Sequence, residues 1–260
     1  MSRIGIFDSG VGGLTVQRAI LDALPGLDTV YLGDTARVPY GNKSPEVVTQ
    51  YSIRNARLLL TQDVEMLVVA CNTASAVALP ALRAAFDVPV LGVVEPGARA
   101  AARATRTGRV GVIGTQSTVA SGAYQRALAS LIPDVHVTAR ACPLFVPLAE
   151  EGWTDPDDEV VRLVARRYLA PVREAGVDVL VLGCTHYPLL AGAIAAELPG
   201  VTLVDSAAAI AAEVAGRFPA AAASGPASHS FFVTDTPDRF LAVAPRFLGR
   251  PVDSARHVDV

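Results

Sequence analysis

Eight short runs of this chain are apolar at successive rather than alternate positions: Ile4 to Phe7, Thr29 to Leu32, Met66 to Ala70, Val88 to Val93, Val110 to Ile113, Val135 to Ala139, Val179 to Leu182 and Val201 to Val204. A strand patterned in this way is buried on both faces, as in a parallel sheet covered by helices. Each run is bounded by turn residues and followed by a longer segment with helical spacing, so the expected fold is α/β, with parallel-type sheets covered by helices. Ligands in such sheets sit outside the carboxyl ends of the strands. The residues just after each run are therefore where chemistry is to be sought. They include Asp8 and Ser9, Asp34, Cys71 to Thr73, Thr115, Cys142, and Cys184 to His186.

The two halves of the chain resemble each other. VEMLVVACNTASAVALPALR, from Val64, lays onto VDVLVLGCTHYPLLAGAIAAE, from Val177, with Cys71 falling on Cys184 at an offset of 113 residues (71 to 184). IGIFDSG from Ile4 lays onto VGVIGTQ from Val110 at an offset of 106 residues (4 to 110). Nearly equal offsets argue for a duplicated unit. The shared cysteine raises the match above what any two strand–loop–helix units rich in Ala, Val and Leu would give. Gly97 to Arg109 reads as an alanine-rich helix and loop between the repeats, Phe218 to Ser228 as a low-complexity surface stretch, and the residues from Arg250 on as a tail or an edge element.

Composition excludes several classes of function. With 260 residues and 51% apolar side chains, the chain can bury a core as one large domain or two small ones. A formal net charge of −3 lacks the positive field that attracts phosphate backbones, so no nucleic-acid partner is expected. No uninterrupted apolar stretch is long enough to span a membrane, and the N-terminus passes straight into a strand-like run without the features of a signal peptide. A cytoplasmic setting is expected. Three cysteines are too few for a disulfide framework and show no CxxC metal spacing, so reduced thiols and no metal are expected. Lys43 is the single lysine, which leaves a pyridoxal phosphate enzyme one residue for its Schiff base.

The glycine-rich FDSGVGGLTV is open to reading as an anion site at a helix N-terminus. It is a poor dinucleotide fingerprint, because Thr15 stands at the third glycine position, although Asp34 stands where a ribose-binding acid would. Cys71 and Cys184 are the stronger candidates. Each lies at a strand-to-helix junction, where a thiolate is favoured, and each is followed by hydrogen-bonding residues, Asn72 and Thr73 in one case and Thr185 and His186 in the other. Cys142, followed by Pro143 and apolar residues, reads as core. Two thiols facing one molecule across a cleft suit an acid and a base acting on opposite faces of a carbon, as in a racemase or epimerase. Without pyridoxal or a metal, the carbanion would be stabilised by electrostatics in a closed, desolvated site. Two other readings stay open: a two-lobed binding protein whose cysteines only pack, and a thiol hydrolase using Cys184 and His186.

The ordered set DSGVGG (Asp8 to Gly13), GDTARVPYG (Gly33 to Gly41), ACNTA around Cys71, VEPG (Val94 to Gly97) and GCTHYPLL around Cys184 resembles the bacterial glutamate racemases of the aspartate/glutamate racemase family. The resemblance runs from residue 4 to about residue 206; the remaining residues are less diagnostic. It implies a fold of two similar lobes with the active site in the cleft between them, here residues 1–95 with 207–260 and residues 96–206. It implies cofactor-independent interconversion of L- and D-glutamate, supplying D-glutamate for peptidoglycan, and is compatible with a homodimer. The family's catalytic cysteines match Cys71, expected to deprotonate D-glutamate, and Cys184, expected to deprotonate L-glutamate. Its auxiliary acids match Asp8 and Asp34 on the Cys71 side, with His186 and Glu150, or the adjacent Glu151, on the Cys184 side. Its substrate-contacting positions match Asp8, Ser9, Tyr40, Gly41, Asn72, Thr73, Thr115, Thr185 and His186. Asp8 suits either the substrate ammonium group or the Cys71 proton. A sibling activity on aspartate or a hydantoin would keep both cysteines; PYG and THY favour glutamate by resemblance.

Overall fold

The structure, a computed structural model, describes residues 2–222 and 227–260. Residues 223–226 of the low-complexity stretch lie outside the described residues. Ten strands follow in order: β1 (Arg3–Asp8), β2 (Asp28–Gly33), β3 (Met66–Val69), β4 (Val90–Gly92), β5 (Arg109–Gly114), β6 (His136–Ala141), β7 (Val179–Gly183), β8 (Thr202–Asp205), β9 (His229–Val233) and β10 (Arg256–His257). They form two sheets, ordered β10-β9-β2-β1-β3-β4 and β6-β5-β7-β8, and every pairing is parallel. All eight apolar runs are strands. The reason is visible in their burial: β1 from Ile4 on, and all of β2, β3 and β7, are closed to solvent and covered by helices on both sides.

The duplication is topological. Within the first sheet the order β2-β1-β3-β4 repeats as β6-β5-β7-β8 in the second. The offsets of 106 and 113 carry the paired residues Ile4 and Met66 onto Val110 and Val179, which are also paired. In each sheet the order turns at the central strand, so the carboxyl ends of β1 and β3, and of β5 and β7, frame a crevice.

Three details differ from the sequence reading. β6 is an edge strand with partly exposed residues along its length, because the outer side of a four-strand sheet has no further strand to cover it. The segment read as an alanine-rich helix and loop between the repeats does contain a helix, Val94–Ala104, but that helix is more than a connector: it buries Val94, Pro96, Gly97, Ala98 and Ala101. β9 was not among the runs; its first three residues, His229 to Phe231, are not fully buried, and only the two-residue β10 covers its outer edge. The tail from Arg250 thus supplies an edge strand, and short strands of this kind protect a sheet against pairing with other chains.

The first sheet separates two apolar clusters. Ile6, Val68 and Leu14 lie on one side of it; Phe7, Leu67 and Val69 lie on the other. Ile6→Ala is expected to lower the unfolding free energy by about 2–5 kcal/mol, through lost burial and a residual cavity. Val160→Ala, at an exposed position, is expected to change it by under about 0.5 kcal/mol. Chemical denaturation of both variants checks the contrast.

Candidate active site

Asp8 ends β1 and is fully buried; its Oδ2 accepts a hydrogen bond from the Gly10 N–H at 2.9 Å. Burial pushes its carboxyl above the ordinary carboxylate value, while the nearby His186 and the Gly10 N–H pull it back. Beside it, past the end of β3, Cys71 precedes the helix Asn72–Val77, and its Sγ donates to Ser9 Oγ at 3.8 Å. Burial, reinforced by the Asp8 charge, pushes this thiol up to about 12. It is a proton carrier at neutral pH.

The matching position past β7 holds Cys184, with its Sγ 3.8 Å from His186 Nδ1. His186 Nε2 in turn lies 2.9 Å from Glu150 Oε1. Burial alone would favour neutral imidazole, but Cys184 and Glu150 outweigh it and raise His186 to about 10. Its hydrogen bond to His186 holds Glu150 below the ordinary carboxylate value, although burial opposes this. Of the two adjacent acids, Glu150 is therefore the one that reaches the histidine.

A cavity of about 50 Å³ joins these groups. Its walls include Ser9, Tyr40, Gly41, Cys71, Asn72 and Thr73 from the first half, and Thr115, Glu150, Cys184, Thr185 and His186 from the second. No lysine or arginine is among its lining residues. A larger neighbouring cavity of about 310 Å³ also touches Glu150 but contains neither thiol. Thr73 and Thr115 meet across the halves at 2.9 Å, and Thr118 closes a hydroxyl triangle with them at 3.2 and 2.9 Å. Asn72 accepts from the Tyr124 hydroxyl at 2.7 Å.

Asp8 and Asp34 lie behind these walls rather than in them. Asp34 is fully buried, but its partners are the Tyr40 hydroxyl, Thr234 Oγ1 at 2.8 Å and Arg37 at 3.3 Å. It holds Tyr40 in place and does not bond to the Cys71 thiol. Cys142 is fully buried in the second half's core. Sequence reasoning missed Thr118 and Tyr124. Thr118 carried a signal, standing three residues after Thr115 on the same helical turn; Tyr124 carried none. Among the described residues, no group of three or more His, Cys, Asp or Glu side chains is placed to hold a metal ion.

The glycine-rich turn serves close approach. A Cβ at Gly12 would stand 2.2 Å from Thr185 Oγ1 and 2.5 Å from the His186 ring. The turn is thus filled by Thr185 and His186 of the second half, and its Gly10 N–H is already bonded to Asp8. The anion-site reading of this turn is not what the structure uses it for.

A family model described as Asp/Glu/Hydantoin racemase matches residues 11–214. The chain belongs to the Asp/Glu/hydantoin racemase family. A glutamate racemase of Geobacter metallireducens is 59% identical to this family member over 262 aligned residues, covering 99% of this chain and 96% of the relative. Among solved structures, glutamate racemase isoform RacE1 from Bacillus anthracis superposes with a TM-score of 0.93 at 39% identity, covering 100% of this chain and 98% of the other. A glutamate racemase from Francisella tularensis in complex with D-glutamate superposes with a TM-score of 0.91 at 33% identity, covering 99% and 97%.

Two outcomes follow from the racemase-family geometry. Gly12→Ala is expected to force the halves apart and reduce turnover by at least tenfold, on the order of the cost of overpacking a tight contact, read from steady-state rates. Glu150→Gln removes a group that raises His186, so the imidazolium should lose its proton at lower pH than in the parent, as nitrogen NMR of the ring would record. In the parent, the imidazolium's contribution to stability is complete below the ordinary value of 6.5 and is lost as pH rises through about 10.

Proposed function

We propose that the protein interconverts L- and D-glutamate by a two-thiol acid/base mechanism without an added cofactor. The observation that carries this reading is that two cysteines, at equivalent strand ends of a repeated topology, open onto one cavity with different partners. His186 stands with its Nδ1 3.8 Å from the Cys184 sulfur, while burial keeps a proton on Cys71. In the L-to-D direction the Cys184 thiolate takes the α-proton, leaving the electron pair on the α-carbon. The Cys71 thiol then delivers its proton to the opposite face. Cys184 finishes as a thiol and Cys71 as a thiolate, which is the starting state for D-glutamate.

The developing carbanion forms in a buried site, where fixed dipoles act strongly. With no lysine or arginine in its walls, the cavity holds carboxylates through the Thr73 and Thr115 hydroxyls, the Asn72 amide and neighbouring backbone N–H groups. Ser9, Tyr40, Gly41 and Thr185 complete the substrate contacts, Asp8 sits on the Cys71 side, and Asp34 acts through Tyr40. Residues 1–95 with 207–260 form one lobe and residues 96–206 the other, and the cleft opens to admit substrate. The product serves peptidoglycan synthesis in the cytoplasm, and a homodimer is compatible with the fold. No helix among the described residues is long and apolar enough to cross a membrane.

In deuterated water, L-glutamate is expected to lose optical rotation and gain deuterium at the α-carbon with no cofactor added. Cys71→Ala and Cys184→Ala should each lose racemisation, while Cys142→Ser should turn over nearly as the parent does. Full racemisation by either alanine variant would sink the two-thiol mechanism, and turnover of aspartate alone would sink the substrate assignment.

A further inference from the structure

The helix Pro237–Leu248 follows β9 of the first sheet and buries Phe240, Ala244, Phe247 and Leu248 in that sheet's core, where Ala149 of the second half joins them. Two consecutive residues near its end reach the second half. The Arg246 guanidinium donates through Nη1 to the Glu150 carbonyl oxygen, and to that of Ala149 at 3.5 Å. These carbonyls belong to the last turn of the helix Phe145–Glu151, which stops at Gly152 with φ of 84°. A Cβ at Gly152 would lie 2.8 Å from the guanidinium, so only glycine lets Arg246 seat there. The next residue, Phe247, packs edge-on against the His186 ring, with centroids 5.1 Å apart and planes at 75°.

The helix bearing Glu150 has seven residues, too short to persist without tertiary support. The Ala149 carbonyl already accepts from the Gly152 N–H, and the cation adds a donor for the Glu150 carbonyl and opposes the helix dipole. An aromatic neighbour fixes the plane of the imidazole. One end of the His186–Glu150 pair is thus held through Glu150's backbone and the other through the His186 ring, both by the first half.

We propose that Arg246 and Phe247 are positioning residues for the Cys184 side of the reaction: they hold His186 and Glu150 in register with the thiol, so that this acid/base group is complete only while the helix Pro237–Leu248 is docked. The inference rests on the two-thiol reading, in which Cys184 serves L-glutamate and Cys71 serves D-glutamate. Neither Arg246 nor Phe247 touches the reacting atoms.

The test compares the primary isotope effect on kcat/KM for α-deuterated L-glutamate and α-deuterated D-glutamate in the parent, Arg246→Met, Phe247→Leu, Arg246→Lys and Cys184→Ser. The isotope effect is a ratio, so a misfolded fraction does not alter it. Weakening the Cys184 step makes proton removal from L-glutamate rate-limiting, whereas the deuteron of D-glutamate leaves in an earlier step that approaches equilibrium. Arg246→Met and Phe247→Leu should therefore raise the effect with L-glutamate and lower it with D-glutamate, in the same sense as Cys184→Ser. Arg246→Met should also reduce kcat/KM about tenfold, as expected for loss of a charged hydrogen bond. Arg246→Lys should recover part of both changes. Equal changes in the two directions, or a change in the opposite sense, would overturn the positioning role while leaving the two-thiol reading intact. Absence of any asymmetry in Cys184→Ser would overturn both.

Discussion

At Gly12 the backbone of the first half lies so near Thr185 and His186 that one methyl group would fall 2.2 Å from the threonine hydroxyl. The rest of the active site depends on that approach. Thr15 Oγ1 donates to the Thr185 carbonyl across the same seam at 3.0 Å, and Gly41 sits where a Cβ would come within 2.7 Å of Thr115. Small residues at these points let two sheet ends meet closely enough for both thiols to line one small cavity.

The halves are alike in topology but not in electrostatics. Cys71 has a hydroxyl beside it and a buried carboxylate behind it, both in a setting that penalises a second negative charge. Cys184 has an imidazole within 3.8 Å, itself anchored by a carboxylate. A duplicated frame thus gives its two thiols different partners, a difference that a reaction removing a proton from one face and returning one to the other can use.

The fold was legible because burial leaves its mark on composition: eight of the ten strands coincide with continuous apolar runs. β9 and β10 were harder to see, since the first three residues of β9 are not fully buried and β10 is a two-residue exposed edge, so neither is written as an apolar run. The thiols and His186 were legible from their places at strand ends, and Glu150, with Glu151 as its alternative, from family resemblance alone. Asp34 shows the limit. A carboxylate at a strand end satisfies the same pattern whether it faces a substrate or a neighbouring tyrosine, and only the packing of Tyr40 and Thr234 decides between them. Arg246 and Phe247 lie some sixty residues from the nearest site motif in the chain. No local spacing marks contacts of that range.

The triangle of Thr73, Thr115 and Thr118 has a consequence for affinity. Its hydroxyls already bond one another across the halves, so a carboxylate entering between them exchanges hydrogen bonds rather than adding them, and the net gain per contact is small. In the proposed reading, Thr73 and Thr115 both latch the halves and meet the ligand. A site of that kind would hold its ground state loosely. For a reaction whose substrate and product are mirror images, that looseness keeps binding energy for the planar species between them, where it accelerates both directions at once.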